Sequence, residues 1–321
     1  MQARWVSVLA MSWLCVACNG EDAKDEEQPP PPPSAAAVKL DSYKKGSVST
    51  SDSALVWAKK ASAPLMYLQI STASSLGSST PDGGARDPSC PVETDEGLTT
   101  RKTGGCTDKN GVEWVGSMTE SFSVTGGFTY TYSGFGYHHT VSCGDKSARG
   151  KLVYDGTVTL SASGETQGFE AQLIQEALTI DESTCAETVV SSAMEYKGSV
   201  TGVSSKDESK PSTWNGSGRI GTPELGTISA ETRNEVIHSQ TCAFEAISGG
   251  TTLTGDNHKV DITYDGATDC ATDATVQWSL DGAAQGKLEG VACAAANGPT
   301  LALWGVGVFG LLGVMRRRVR D

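Results

Sequence analysis

Between residues 110 and 280 apolar and polar residues alternate over many short runs, the period at which strand side chains return to one face. Val112, Trp114, Gly116 and Met118 share such a face, as do Leu152, Tyr154, Gly156, Val158 and Leu160. Met194, Tyr196, Gly198 and Val200 repeat the scheme, followed by Val260, Ile262 and Tyr264, and by Val276, Trp278 and Leu280. Hairpin signals fall between the runs: Gly126-Gly127 separates Phe122 and Val124 from Phe128, Tyr130 and Tyr132, and Asn110-Gly111 leads into the Trp114 run. The expected fold is mainly β, an antiparallel meander or sandwich.

Within these runs an aromatic residue, any residue, a glycine and a small residue recur as WVGS at Trp114, YDGT at Tyr154, YKGS at Tyr196, WNGS at Trp214 and YDGA at Tyr264. Each glycine lies two residues after its aromatic, hence on the same face, where a ring from a neighbouring strand can cover bare backbone. Repeated core packing is the structural reading. A row of surface aromatics stacking on sugar rings is the functional one. The spacings are too uneven for propeller blades or a solenoid.

Ahead of the β region, residues 52–70 form the best helix candidate, with Asp52 as cap, Leu55, Val56, Leu65, Met66 and Ile70 as apolar positions, and Pro64 dividing it. Residues 71–80, rich in Ser and Thr, read as a loop.

The formal charge is −13, but the ends are basic. Residues 18–315 hold 20 Lys or Arg against 37 Asp or Glu, a net −17, which disfavours nucleic acid as a partner. Met1–Arg4 is a short basic segment, and residues 5–17 are uncharged and mostly apolar. A helix of that length reaches about 20 Å, short of a hydrocarbon core of about 30 Å, so it reads as a signal peptide. Residues 18–37 follow as an acidic and Pro-rich tether with five consecutive prolines, a solvated and extended spacer. At the other end residues 301–315 read LALWGVGVFGLLGVM, and a helix from 294 to 315 would measure about 33 Å. Arg316, Arg317 and Arg318 then fit the cytoplasmic side of a single span.

Ala17 followed by Cys18 resembles a bacterial lipobox, with Cys15 where that family usually has Leu. The resemblance implies that Cys18 is lipid-modified and becomes the first mature residue; ordinary cleavage after Ala17 is the alternative. Cys293, the apolar run and the terminal arginines together resemble the C-terminal sorting tails of Gram-negative bacteria, of the myxobacterial kind with a cysteine ahead of the hydrophobic stretch. That resemblance implies removal of the tail and a processing or anchoring role for Cys293. A retained single-pass anchor is the alternative.

Of nine cysteines, Cys15 leaves with the signal and Cys18 and Cys293 lie at the two ends. Cys90, Cys106, Cys143, Cys185, Cys242 and Cys270 remain as disulfide candidates for an oxidising compartment, with sequence neighbours the first expectation and Cys90 with Cys106 foremost. Should Cys293 be structural, Cys270 with Cys293 becomes attractive. The body has no CxxC pair to suggest zinc or thiol exchange chemistry.

No motif announces catalysis. His138 and His139 are adjacent and would face opposite sides of a strand, and His238 and His258 are isolated. Asp108, Asn110 and Gly111, and the series Asp261, Asp265, Asp269 and Asp273, offer oxygens for calcium without the twelve-residue ligand loop. G-x-S-x-G, S-x-x-K and phosphate-loop motifs are missing. The organisation expected is a signal peptide at 1–17, a tether at 18–37, a helical or loop lead-in at 38–89, a β domain at 90–293 and a transmembrane or sorting segment at 294–321. No metal, cofactor or enzyme activity is expected. The functional expectation is an envelope-anchored structural or interaction lipoprotein of a Gram-negative outer membrane or cell surface, with a protein or carbohydrate partner. A carrier of an apolar or lipid ligand on a concave β face is the second expectation.

Overall fold

A computed structural model describes residues 32–78, 87–124, 126–181, 183–202, 210–238, 242–264, 266 and 275–289, without the side chains of 242–245, 275 and 289. Three helices come first: α1 (Ala35–Ser42), α2 (Ser51–Ala61) and α3 (Ala63–Ser75). Then follow β1 (Val92–Glu96), β2 (Thr99–Thr103), β3 (Cys106–Thr107), β4 (Glu113–Phe122), β5 (Gly127–Cys143), β6 (Lys146–Ser163) and β7 (Thr166–Ile180). The chain continues through β8 (Glu187–Thr201), β9 (Ser212–Thr222), β10 (Gly226–His238), β11 (Cys242–Gly255), β12 (His258–Tyr264), β13 (Thr275–Leu280) and β14 (Ala283–Glu289).

All the strands form one antiparallel sheet in which spatial order follows chain order, with the short β3 paired to β4 beside the main path. The expected meander is therefore present as a single sheet. Its order follows from tight turns: Gly126-Gly127 joins β4 to β5, and Asp108, whose carboxylate accepts the Asn110 and Val112 amides, shapes the turn between β3 and β4.

The alternating residues bury as their period requires. Trp114, Met118, Tyr154, Val158, Tyr196, Val200, Val260, Ile262, Val276 and Trp278 belong to one core, whereas Leu152, Leu160, Tyr264 and Leu280 are only partly buried at its margin. Two glycines explain part of the recurring motif. A Cβ on Gly198 would press into the Phe169 ring and stand 2.5 Å from the Asn215 carbonyl oxygen, and one on Gly216 would lie 2.7 Å from the Tyr196 ring. Rings therefore cover bare backbone on the inner face.

The same face carries α2 and α3. Tyr67 meets Phe169 and Trp214 at ring-centroid distances of 5.2 and 5.3 Å, and the Tyr132 hydroxyl donates to the Ala73 carbonyl at 2.7 Å. α3 contains no charged residue, as expected of a helix enclosed by apolar neighbours. α2 contacts β11 and β14, α3 contacts β6 to β9, and Gly77 lies beside Phe135 of β5 and Lys102 of β2. From β2 to β14 is eleven strand steps, about 53 Å at ~4.8 Å each. Residues 51–77 reach only about 40 Å even as continuous helix, so the sheet curls around them.

Several boundaries differ from expectation. The stretch read as tether ends in structure, because Ser34 caps α1 by accepting the Ala37 amide. Thr50, not Asp52, caps α2, through a reciprocal pair of hydrogen bonds with Ser53. Pro64 divides the helices as anticipated, occupying the first turn of α3, where the missing amide hydrogen costs nothing. Residues 71–75 belong to α3 rather than to a loop. Their serine and threonine hydroxyls donate to carbonyls three or four residues back, which hides their polarity within the helix.

Two disulfides, Cys90–Cys106 and Cys143–Cys185, join sequence neighbours. Cys18, Cys270, Cys293 and the Arg316, Arg317 and Arg318 cluster lie outside the described residues, as does the side chain of Cys242. The expected C-terminal apolar helix also falls there. Among the described residues no helix is long and apolar enough to cross a membrane.

Candidate functional site

The outer face, opposite α2 and α3, is polar. Register places Thr159 of β6 opposite Glu170 of β7, Glu170 opposite Lys197 of β8, Lys197 opposite Ser217 of β9, and Ser217 opposite Glu231 of β10. One row further along, Ser161, Gly168, Ser199 and Asn215 succeed one another. Small residues form the floor and charged ones the walls of an open groove of about 710 Å³.

One wall is built at a bulge in β10. Its register shifts between Thr232 and Glu235, where Asn234 adopts a left-handed φ of 50° and its amide donates to the Asn215 side-chain oxygen at 2.9 Å. Arg233 bonds Glu231 through two nitrogens at 2.6 and 2.7 Å, and this holds the Glu231 carboxyl below its usual range. The groove thus presents hydroxyls, a carboxamide and charges of both signs. Phe169 is the one aromatic residue that lines it and its ring is buried, and no histidine or cysteine lines it.

The same bulge turns Glu235 inward, where it is 1% exposed. Burial raises its carboxyl to about 7, against the opposing pull of hydrogen bonds from Thr251 and Tyr264. Thr251 donates at 2.5 Å and also meets the Thr232 hydroxyl at 2.9 Å, and Thr232 accepts the Ala63 amide at the start of α3. A polar chain therefore runs from the N-terminus of α3 to a buried carboxyl. Alternation alone does not single out Glu235, because a bulge that moves a glutamate from the outer to the inner face leaves no signature in it.

The other anticipated ligands are dispersed. His138 bonds Arg149, which also pairs with Glu113, on exposed surface, while His139 turns to the other side of β5 and packs on Tyr137. His258 meets Asp281 at 2.8 Å. The Asp108 oxygens face the turn amides and the Trp114 ring nitrogen, and Asp265, Asp269 and Asp273 lie outside the described residues. No cluster of three or more His, Cys, Asp or Glu suited to a metal occurs among the described residues. The motif aromatics Trp114, Tyr154, Tyr196 and Trp214 are at most 5% exposed. The surface-stacking reading of those four is corrected accordingly. Comparison with family models, characterised proteins and solved structures gives no match.

Proposed function

We propose that the chain is an exported, envelope-anchored interaction protein whose polar outer groove meets its partner. The two disulfides carry this reading, because paired cysteines persist in oxidising compartments and are rare in reducing ones. Lipid on Cys18, the tether and the C-terminal apolar segment would hold the sheet at a Gram-negative outer membrane or cell surface. Cys242 with Cys270 would add a third bridge. The groove suits a polar protein or carbohydrate partner, since Glu170, Lys197, Glu231 and Arg233 supply balanced charge and Thr159, Ser161, Ser199 and Asn215 supply hydrogen-bonding groups. Nucleic acid is disfavoured by the net −17 of residues 18–315.

Intact mass of the membrane-extracted protein, with non-reducing peptide mapping, tests the anchoring: a lipid-shifted N-terminus at Cys18 and bridged peptides are expected. A reduced, unprocessed cytoplasmic chain would overturn it.

One observation favours a second reading, the carrier of an apolar ligand. The aromatic inner face is covered by a charge-free helix, α3, whose displacement would open an apolar surface. That reading expects lipid to accompany protein purified without detergent exchange; protein consistently free of lipid would exclude it.

A further inference from the structure

The two ends of the strands differ. The turns joining β1 to β2 and β4 to β5 lie at one end, as pairings Glu96 with Thr99 and Phe122 with Phe128 require. At this end Val124 is 84% exposed, Leu98 56% and Phe122 39%. They are neighbours: the Phe122 amide donates to the Leu98 carbonyl at 2.8 Å, the Phe122 and Phe128 rings are 5.3 Å apart, and Val124 sits inside the turn closed by Gly126 N–H on the Ser123 carbonyl. A valine in such a turn supplies neither the left-handed conformation nor the local hydrogen bonds for which turn residues are usually chosen. Exposed apolar residues at the other end are scattered instead. Val92 and Val189 stand on strands separated by five others, and Val190 faces away from Val189.

The last strand ends beside the first of these groups in level. β14 pairs Glu289 with Thr275, which places Glu289 at the strand end shared by the two apolar turns. Residues 290–315 continue from there without a charge, and 22 of them make about 33 Å of helix, enough to cross a hydrocarbon core. A span beginning there draws that end of the sheet to the bilayer.

We infer that the turns carrying Leu98, Phe122 and Val124 rest in the lipid surface. The inference deepens the anchored reading and depends on a retained C-terminal span. Glu96 and Glu165 flank the same end, so the surface suited to it is zwitterionic rather than anionic. Side chains of this kind enter the boundary between headgroups and acyl chains.

The test uses full chain extracted from membranes, its tail verified by intact mass, reconstituted in phosphatidylcholine vesicles bearing bromines high on the acyl chain. Val124→Trp, at an exposed turn, and Lys146→Trp, at an exposed turn of the opposite end, are compared with the unmodified chain. The added Val124→Trp emission is expected to fall roughly twofold or more in brominated vesicles, as an interfacial side chain about 5–10 Å deep would, while that of Lys146→Trp stays unchanged. Equal emission of Val124→Trp in both vesicles, or quenching of Lys146→Trp, would overturn the inference and leave the anchor standing. Loss of the tail, or failure to float with vesicles, would overturn the anchor and the inference with it.

Discussion

The two faces of one sheet are built from the same strands on opposite rules. Inward, Trp114, Tyr154, Tyr196 and Trp214 pack with α2 and α3 into a single core, and ring volume is balanced by missing side chains at Gly198 and Gly216. Outward, α1 buries only Ala36, Ala37 and Leu40 and is tied as well by polar bonds: Arg219 bridges Glu195 and Asp41 at 2.6 Å to each, and Ser34 donates to Glu195. Apolar packing depends on shape and tolerates little change, whereas solvated polar contacts exchange readily with water. The inner face should therefore govern stability and the outer one recognition.

The largest expected effect breaks the inner face. Trp114 is fully buried and stacks on Phe135 at 5.7 Å. Trp114→Ala should destabilise the fold by about 3–5 kcal/mol, measured by chemical unfolding. A loss below about 1 kcal/mol would mean that α2 and α3 do not pack as tightly as the inner face requires.

Glu235 is the exception on the inner side and gives a pH test. Its ordinary value is 4.5 and the folded value about 7. Between those values the unfolded chain loses its proton while the folded one keeps it, so stability falls as pH rises through this window. The difference approaches about 3 kcal/mol once both states are ionised. Glu235→Gln should flatten this dependence between pH 5 and 8, and a variant with the same pH profile as the parent would remove Glu235 from the account.

The contrast between faces also decides what was legible in the sequence. Alternation identified the strands and their inward residues, because a period of two maps directly onto burial. Cys90 with Cys106 was legible because the two are sequence neighbours only 16 residues apart. The helical content of residues 71–75 was hidden by serines and threonines that satisfy themselves within the helix. The groove and Glu235 were hidden for another reason. Both depend on cross-strand register and on one bulge at Asn234, relations between distant residues that no local pattern records.

A smaller effect separates α1 from the other helices. Arg219→Ala removes both of its ion pairs, but the guanidinium is 36% exposed and solvent screening limits the loss to about 1 kcal/mol or less. Its clearer readout is local: amide exchange in α1 should quicken while α3 stays protected. Equal acceleration in both helices would show that α1 and the core open as one unit, and the division between faces would fail.

The smallest stability effect belongs to the groove and bears most directly on function. Lys197 is exposed and stands between Glu170 and Ser217 in the cross-strand row. Lys197→Ala should leave stability within about 0.5 kcal/mol, because no buried partner is left unsatisfied. On the outer face it removes the cation at the middle of the row, so recovery of an envelope partner by crosslinking from intact cells should fall while folding and anchoring persist. An unchanged crosslinking pattern would move recognition away from β6 to β10, and a large loss of stability would show that this row supports the fold as well as recognition.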